Sequence, residues 1–313
     1  MRYGNGLPTF RCPQNLRGAA ESSQRPVLRQ ATATDDAEAE VTGISGRTDS
    51  SEMSSAQMAL ERALREKAEM GKGTSDLLSN NMHRAWVAAG SSGIVGMLVK
   101  AGLSAENGAD VATLILAATA AYFLSDLGTG IYHWGVDNYG TAKTPIFGSQ
   151  IDAFQGHHQR PWTITKREFA NNLHALARPT FFVLVPFLLA PSNPGLDAFV
   201  GVFMAGVMLS QQFHAWSHTP KTLLPAPVVA LQDAGLLVGR KMHGAHHKPP
   251  YTVNYCIVSG LCNKPLDASG LIPWMESEIL KRWGVAPRSW GETAPGWLEE
   301  VGYYENGQNN MEV

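Results

Sequence analysis

Four apolar stretches, at about 85–104, 110–126, 179–191 and 196–213, limit what this chain can fold into more than any other feature. A helix that crosses a bilayer takes about 20 apolar residues, with a lower limit near 17. Each stretch is marginal by itself: the first is diluted by Gly90, Ser91, Ser92 and Gly93, and the third is short and ends at Pro191. Buried helices of a soluble protein would look similar, so the segments between them decide. The connectors at about 105–109 and 192–195 carry no Lys or Arg, whereas 138–178 carries Lys143, Arg160, Lys166, Arg167 and Arg178. The region after the fourth stretch adds Lys221, Arg240, Lys241 and Lys248. Basic residues then fall on one side of a four-span topology, as the positive-inside rule requires. Trp134, Trp162 and Trp216 sit near the proposed ends, where an interfacial aromatic belt would place them. The expected fold is an all-α membrane protein with about four transmembrane helices and both termini on the basic side.

That topology gathers the histidines. Of the ten, only His83 lies outside 133–247, and it reads as an ordinary interfacial residue. The other nine fall beyond the second span or at or beyond the end of the fourth, so all can meet at one membrane face. His243, His246 and His247, in HGAHH, are spaced to share a helix face, and His214 and His218 form an i, i+4 pair. Asp126, His133 and Asp137 make one stripe if their stretch is helical, although Gly128 and Gly130 weaken it. The adjacent His157 and His158 cannot face one point from a helix; they could serve two metals, or one could support the other. His174, after Asn171 and Asn172, reads as a ligand or as a hydrogen-bonding neighbour. So many imidazoles at one boundary suit two metal ions, and imidazole alone is compatible with Zn, Cu, Fe or Ni. HExxH is absent, which argues against a zinc hydrolase, and haem would use only one or two of these histidines.

The rest of the sequence mostly excludes. A net charge of -2 gives no footprint for nucleic acid. The cysteines, Cys12, Cys256 and Cys262, form no CxxC pair, so Cys256 and Cys262 read as packing residues. Up to Thr34 the only acid is Glu21 against five arginines, followed by Ser, Thr and Ala, which is the composition of an organelle transit peptide or of a plain disordered tail. The expected organisation is a transit and polar region over 1–75, with a solvated helix at 55–70, a membrane-embedded domain over 76–300 and a disordered tail over 301–313.

Histidine boxes among apolar spans resemble the membrane di-iron fatty-acid desaturases and hydroxylases. The strings HWGVDNYG (133–140), QGHH (155–158), FANNLHALA (169–177), QQFHAWSH (211–218), LQDAGLLV (231–238), HGAHH (243–247) and NYCIVSG (254–260) resemble the Kua-type lipid desaturases. They are most similar to the plastid branch, which places a trans double bond at carbon 3 of palmitate on phosphatidylglycerol; PRSW (287–290) and WLEE (297–300) resemble it too. Relatives that desaturate plasmanylethanolamine share the HH, FHxWSH and HxxHH boxes, and FANNLHALA favours the plastid branch. The resemblance implies two iron ions, O2 as co-substrate, electrons from ferredoxin, a phosphatidylglycerol substrate and a thylakoid or envelope membrane of the chloroplast. It carries ligand status to His133, His157, His158, His214, His218, His243, His246 and His247, with His174 as a ninth. Asp126 and Asp137, then Gln232 and Asp233, are expected to accept the outer N–H of metal-bound imidazoles. Arg160, Lys166, Arg167, Arg240 and Lys241 are expected to face an anionic headgroup. The alternatives are a vinyl-ether-forming plasmanylethanolamine desaturase, a sterol or carotenoid hydroxylase, and a membrane metal-binding protein without catalysis.

Overall fold

The computed structural model describes residues 74–291. The expected transit region, except for its last two residues, and the tail over 301–313 lie outside the described residues, as does the helix expected at 55–70. Among the described residues are nine α-helices and no strand. They are α1 (Asn81–Leu103), α2 (Gly108–Asn138), α3 (Gly148–Gln159), α4 (Phe169–Leu189), α5 (Pro194–His218), α6 (Ala226–Asp233), α7 (Arg240–His246), α8 (Asn263–Ser269) and α9 (Leu271–Trp283).

Helices α1, α2, α4 and α5 are long and apolar enough to cross a membrane. Val95 and Val99 on α1, Ile115 and Leu116 on α2, and Phe182 on α4 are exposed, which is the surface a helix presents to lipid. All four start before the apolar stretch read from sequence, α4 by ten residues, and α2 and α5 also end beyond it. At about 1.5 Å per residue the 31 residues of α2 span about 46 Å, against a hydrocarbon core of about 30 Å. The helix is longer than a crossing needs, and its last turns, with His133 and Asp137, are the more polar ones. Helix α4 begins at Phe169 and runs through Pro179, while α5 continues to His218 and so keeps His214 and His218 on one helix.

Small residues set the packing. Helix α1 lies against α4 and α5, and α2 against α5. A Cβ at Gly90 would come within 3.0 Å of the Ala177 carbonyl oxygen, and one at Gly206 would strike Ser125. Where lipid is as apolar as the side chains, such close approach is what holds helices together. The glycines that dilute the first stretch are thus its packing face, with Met97, Leu173, Leu184 and Met208 filling the core beside them. Gly128 and Gly130 do not break α2; a side chain at Gly130 would collide with Cys256.

At the end lacking basic connectors, Lys100 does unusual work. Its Nζ donates to the carbonyls of Phe187 (2.7 Å) and Ala190 (2.9 Å) and pairs with Asp197 at 3.4 Å. Phe187 needs this donor because Pro191 has no N–H to close the last helical turn. Lys100→Met is expected to cost about 3–5 kcal/mol, since it strands a buried carboxylate. Thermal unfolding in detergent should show the loss, while the folded fraction keeps its metal content.

Candidate metal centre

The projecting ends of α2 and α5, together with α3 and α7, bring eight histidines and one aspartate into two groups. His157, His214, His218, His243 and His247 form one, and His133, Asp137, His158 and His246 form the other. Within each group, one ligand atom from every residue lies within 4.8 Å of all the others. Helix spacing explains the local order. His133 and Asp137 share a stripe of α2, with Nε2 and Oδ2 3.2 Å apart, and α5 offers His214 and His218 one turn apart. The neighbours His157 and His158 point into different groups, the two-metal option left open by their spacing.

The contacts fit cations. His157 Nε2 lies 2.9 Å from His218 Nε2, His247 Nε2 3.1 Å from His243 Nε2, and His246 Nε2 3.2 Å from His158 Nε2. Two nitrogens bound at about 2.1 Å to one metal, at right angles, stand about 3 Å apart. His214 is buried, and neither of its ring nitrogens has a hydrogen-bond partner. Asp137 Oδ1 is buried without one as well. Five nitrogens in one group, and three nitrogens with a carboxylate in the other, suit a first-row transition metal rather than Ca or Mg. Burial holds His157, His243 and His247 well below the usual imidazole range, reinforced by neighbouring rings, and lowers His246 against the opposing pull of Asp137. At neutral pH these rings are uncharged and offer lone pairs.

The loop after α7 fixes two rings. His133 Nδ1 donates to the Tyr255 carbonyl and His246 Nδ1 to the Val253 carbonyl, both at 2.9 Å. Carbonyls only accept, so Nδ1 must carry the proton, and Nε2 is left to face Asp137. Asp126 pins the loop from below. Its Oδ1 accepts the N–H groups of Val258, Ser259 and Gly260 at 2.8–3.1 Å, and its Oδ2 that of Cys262 at 3.0 Å. Burial pushes the Cys256 thiol up, and that of Cys262 up to about 11, so both are protonated packing groups.

Several residues stand elsewhere than the sequence suggested. Asp137 is inside a group rather than behind it: Oδ2 lies 3.1–3.4 Å from the Nε2 atoms of His133, His158 and His246. Asp126 bonds backbone instead of an imidazole, because the loop brings four donors to it. Gln232 donates to the Val238 carbonyl at 3.1 Å, and Asp233 pairs with Lys221 at the surface. His174 is in neither group; it stacks on His83 with ring centroids 3.8 Å apart, and its Nδ1–H donates to the Asn171 carbonyl at 2.8 Å. His83 completes a capping box with Asn80 at the start of α1. Lys166, Arg167, Arg240 and Lys241 are exposed and Arg160 is half-buried, with Arg167 donating to Asn171 at 3.1 Å. Tyr255 and Glu276, both buried at this end, belong to no metal-ligand pattern and were not singled out from the sequence.

Comparison with known proteins agrees with this geometry. Residues 122–290 match the family described as the lipid desaturase domain. The chain is 49% identical over 225 residues to "Fatty acid desaturase 4-like 1, chloroplastic" of Arabidopsis thaliana, covering 72% of this chain and 76% of that protein. It is 49% identical over 219 residues to "Fatty acid desaturase 4, chloroplastic" of the same plant, covering 70% and 68%. To "Plasmanylethanolamine desaturase" of Myxococcus xanthus it is 32% identical over 182 residues, covering 56% and 63%. No solved structure matches. The matched segment begins within α2 and takes in all of α5, all eight grouped histidines and the loop that orients two of them, and the chain belongs to the lipid desaturase domain family.

Proposed function

We propose that this desaturase introduces a trans double bond at carbon 3 of the palmitoyl chain of phosphatidylglycerol in a chloroplast membrane, with two iron ions, O2 and electrons from ferredoxin. An oxidoreductase acting as a fatty acid desaturase, in a multi-pass membrane protein, follows from family membership and the apolar helices. What supports the finer reading is that the two ligand groups are built on the C-terminal turns of α2 and α5, past the apolar part of each span. Carbon 3 lies just beneath the headgroup, so a centre at that depth meets it without entering the bilayer core. The 49% identity to plastid relatives, above the 32% to a plasmanylethanolamine desaturase, favours an acyl over an alkyl-ether chain.

Bound irons would supply the oxidising power that, with O2, two electrons and two protons, removes two hydrogens from adjacent carbons and leaves an alkene and two waters. The chain's part is to hold them in a dry, fixed cage. His133, His243 and His246 are fully buried, and uncharged imidazoles meet the cations without a competing proton. Asp137 gives one group a negative charge that the other lacks, so the two positions differ in electron richness. The exposed cations Lys166, Arg167, Arg240 and Lys241, with Arg160, supply positive charge for an anionic headgroup, each worth about 1 kcal/mol near such a surface.

Expression in a host lacking this lipid, with iron and a donor present, should yield trans-3-hexadecenoate on phosphatidylglycerol by gas chromatography. Vinyl ethers in its place would move the assignment to the plasmanylethanolamine branch. Metal analysis should find about two irons per chain and no Soret band. His246→Ala should abolish product and lower iron. Arg160→Ala with Lys241→Ala should relax headgroup preference; an unchanged preference removes those cations from the proposal.

A further inference from the structure

The proposed reaction consumes two electrons from an outside donor, and two buried hydrogen bonds lead from the surface to the residue that follows His133. Glu276 on α9 is only 4% exposed, yet both its oxygens are taken by indoles. Trp134 Nε1 donates to Oε1 at 3.1 Å, and Trp290 Nε1 to Oε2 at 3.2 Å. Trp134, at 6% exposure, directly follows His133 in the chain, whereas Trp290 is 56% exposed. The turn that ends in Trp290 is pinned to the same end of the molecule. Ser289 N–H donates to Asn138 Oδ1 at 3.1 Å, and Arg288 bonds Gln155, two residues before His157. A cavity of about 10 Å³, with room for about one water, is lined by Ser289 together with Asp137, Asn138, Gln155, His158 and Tyr251. Cationic side chains are close in sequence to the exposed indole or to the carboxylate that holds it: Arg288 is two residues before Trp290, and Lys281 and Arg282, which pair with Glu278 at the end of α9, have side chains 76% and 65% exposed.

We infer that the Arg288–Trp290 turn, with Glu276 and Trp134 behind it, is where a small acidic one-electron carrier docks and passes electrons to the metal centre. The inference rests on the desaturase reading. A buried carboxylate tying two indoles is costly to desolvate, and an apolar side chain would pack as well; what the carboxylate adds is bonded continuity between surface and centre. Each reduced carrier gives up one electron and leaves oxidised, and two carriers per turnover supply the pair that the reaction consumes. No residue on the route changes oxidation state; the two indoles and the carboxylate form a continuous bridge in place of a through-space gap. An exposed Trp with an Arg two residues away is also the composition of a binding hot spot, and the cations of this segment and of the end of α9 would steer an anionic partner.

The test uses the iron-loaded full chain in detergent, without oxygen or lipid substrate, mixed with photoreduced [2Fe–2S] ferredoxin, whose reoxidation is followed by absorbance. Reduced methyl viologen, which needs no docking site, is the control. Trp290→Ala is expected to slow oxidation of ferredoxin roughly tenfold, the scale of losing one Trp hot spot, and to leave the viologen rate unchanged. Lys281→Glu with Arg282→Glu changes only exposed side chains and should slow ferredoxin most at low salt. Equal slowing of both reductants would show a purely structural turn and overturn the inference. Unchanged ferredoxin rates in both variants would place electron entry elsewhere. Weaker binding to anionic vesicles with normal ferredoxin rates would make Trp290 a membrane anchor and also overturn it. Because no lipid is present, a wrong acyl substrate leaves these rates untouched.

Discussion

Asp137→Ala should leave a folded chain that holds about one iron and forms no measurable product. In its group the carboxylate is the only anion among three imidazoles, and Oδ2 reaches all three Nε2 atoms within 3.4 Å. Removing it deletes a ligand atom and leaves three buried rings around an uncompensated dication. The other group, built from His157, His214, His218, His243 and His247, contains no part of Asp137 and should keep its metal. Asp137→Asn tests charge apart from shape: it keeps an oxygen but loses the anion, so iron in that group should bind more weakly by roughly 10- to 100-fold. Iron per chain by mass spectrometry, beside helix content by circular dichroism, gives the answer. Two irons and full turnover in Asp137→Ala would mean that three imidazoles suffice.

The second large effect is expected at a residue that touches no metal group. Asp126→Ala leaves four buried N–H groups, of Val258, Ser259, Gly260 and Cys262, without their acceptor. Each unsatisfied buried donor costs about 1–3 kcal/mol, partly relieved by entering water, so a loss of about 3–5 kcal/mol in stability is expected. The chemical effect should be selective. The released loop carries the carbonyls of Val253 and Tyr255 that fix His246 and His133, two of the four residues in the Asp137 group. Iron in that group should fall before iron in the other. Asp126→Asn keeps Oδ1 for three of the donors and turns an amide toward Cys262, so it should fall between wild type and Ala. Chemical unfolding together with iron content follows the series; equal loss from both groups would show that the loop acts on the fold alone.

The sequence showed the spans because lipid demands apolar length, and it showed the histidines because ligand residues of one kind recur at helical spacing. It hid where the helices end. Residues 127–138 are too polar to read as span, and they stay helical because packing against the loop at Cys256 compensates for Gly128 and Gly130. Acid roles were harder still. Asp126 and Asp137 lie on one stripe of α2, but the loop at 254–262 decides which of them meets backbone and which meets imidazoles, and that loop is more than a hundred residues away in the chain. Asp233 sits in a motif yet pairs with Lys221 at the surface, and His174 finds His83 because α1 and α4 lie side by side. Contacts of this kind depend on tertiary neighbours that no local spacing encodes.

The reach of Asp126 also fixes an order of manufacture. Its carboxylate joins positions separated by 132 to 136 residues, and the cage draws on segments from 133 to 247. While the chain is being threaded into the membrane, α2 arrives with His133 and Asp137 unpaired, and the residues that orient and complete the cage follow more than a hundred residues later. The Asp137 group can take its final form only once the loop following α7 has emerged. A chain halted before residue 254 would have its four spans and every ligand of both groups, yet His133 would lack the carbonyl that orients it and α2 would lack the loop that Asp126 holds.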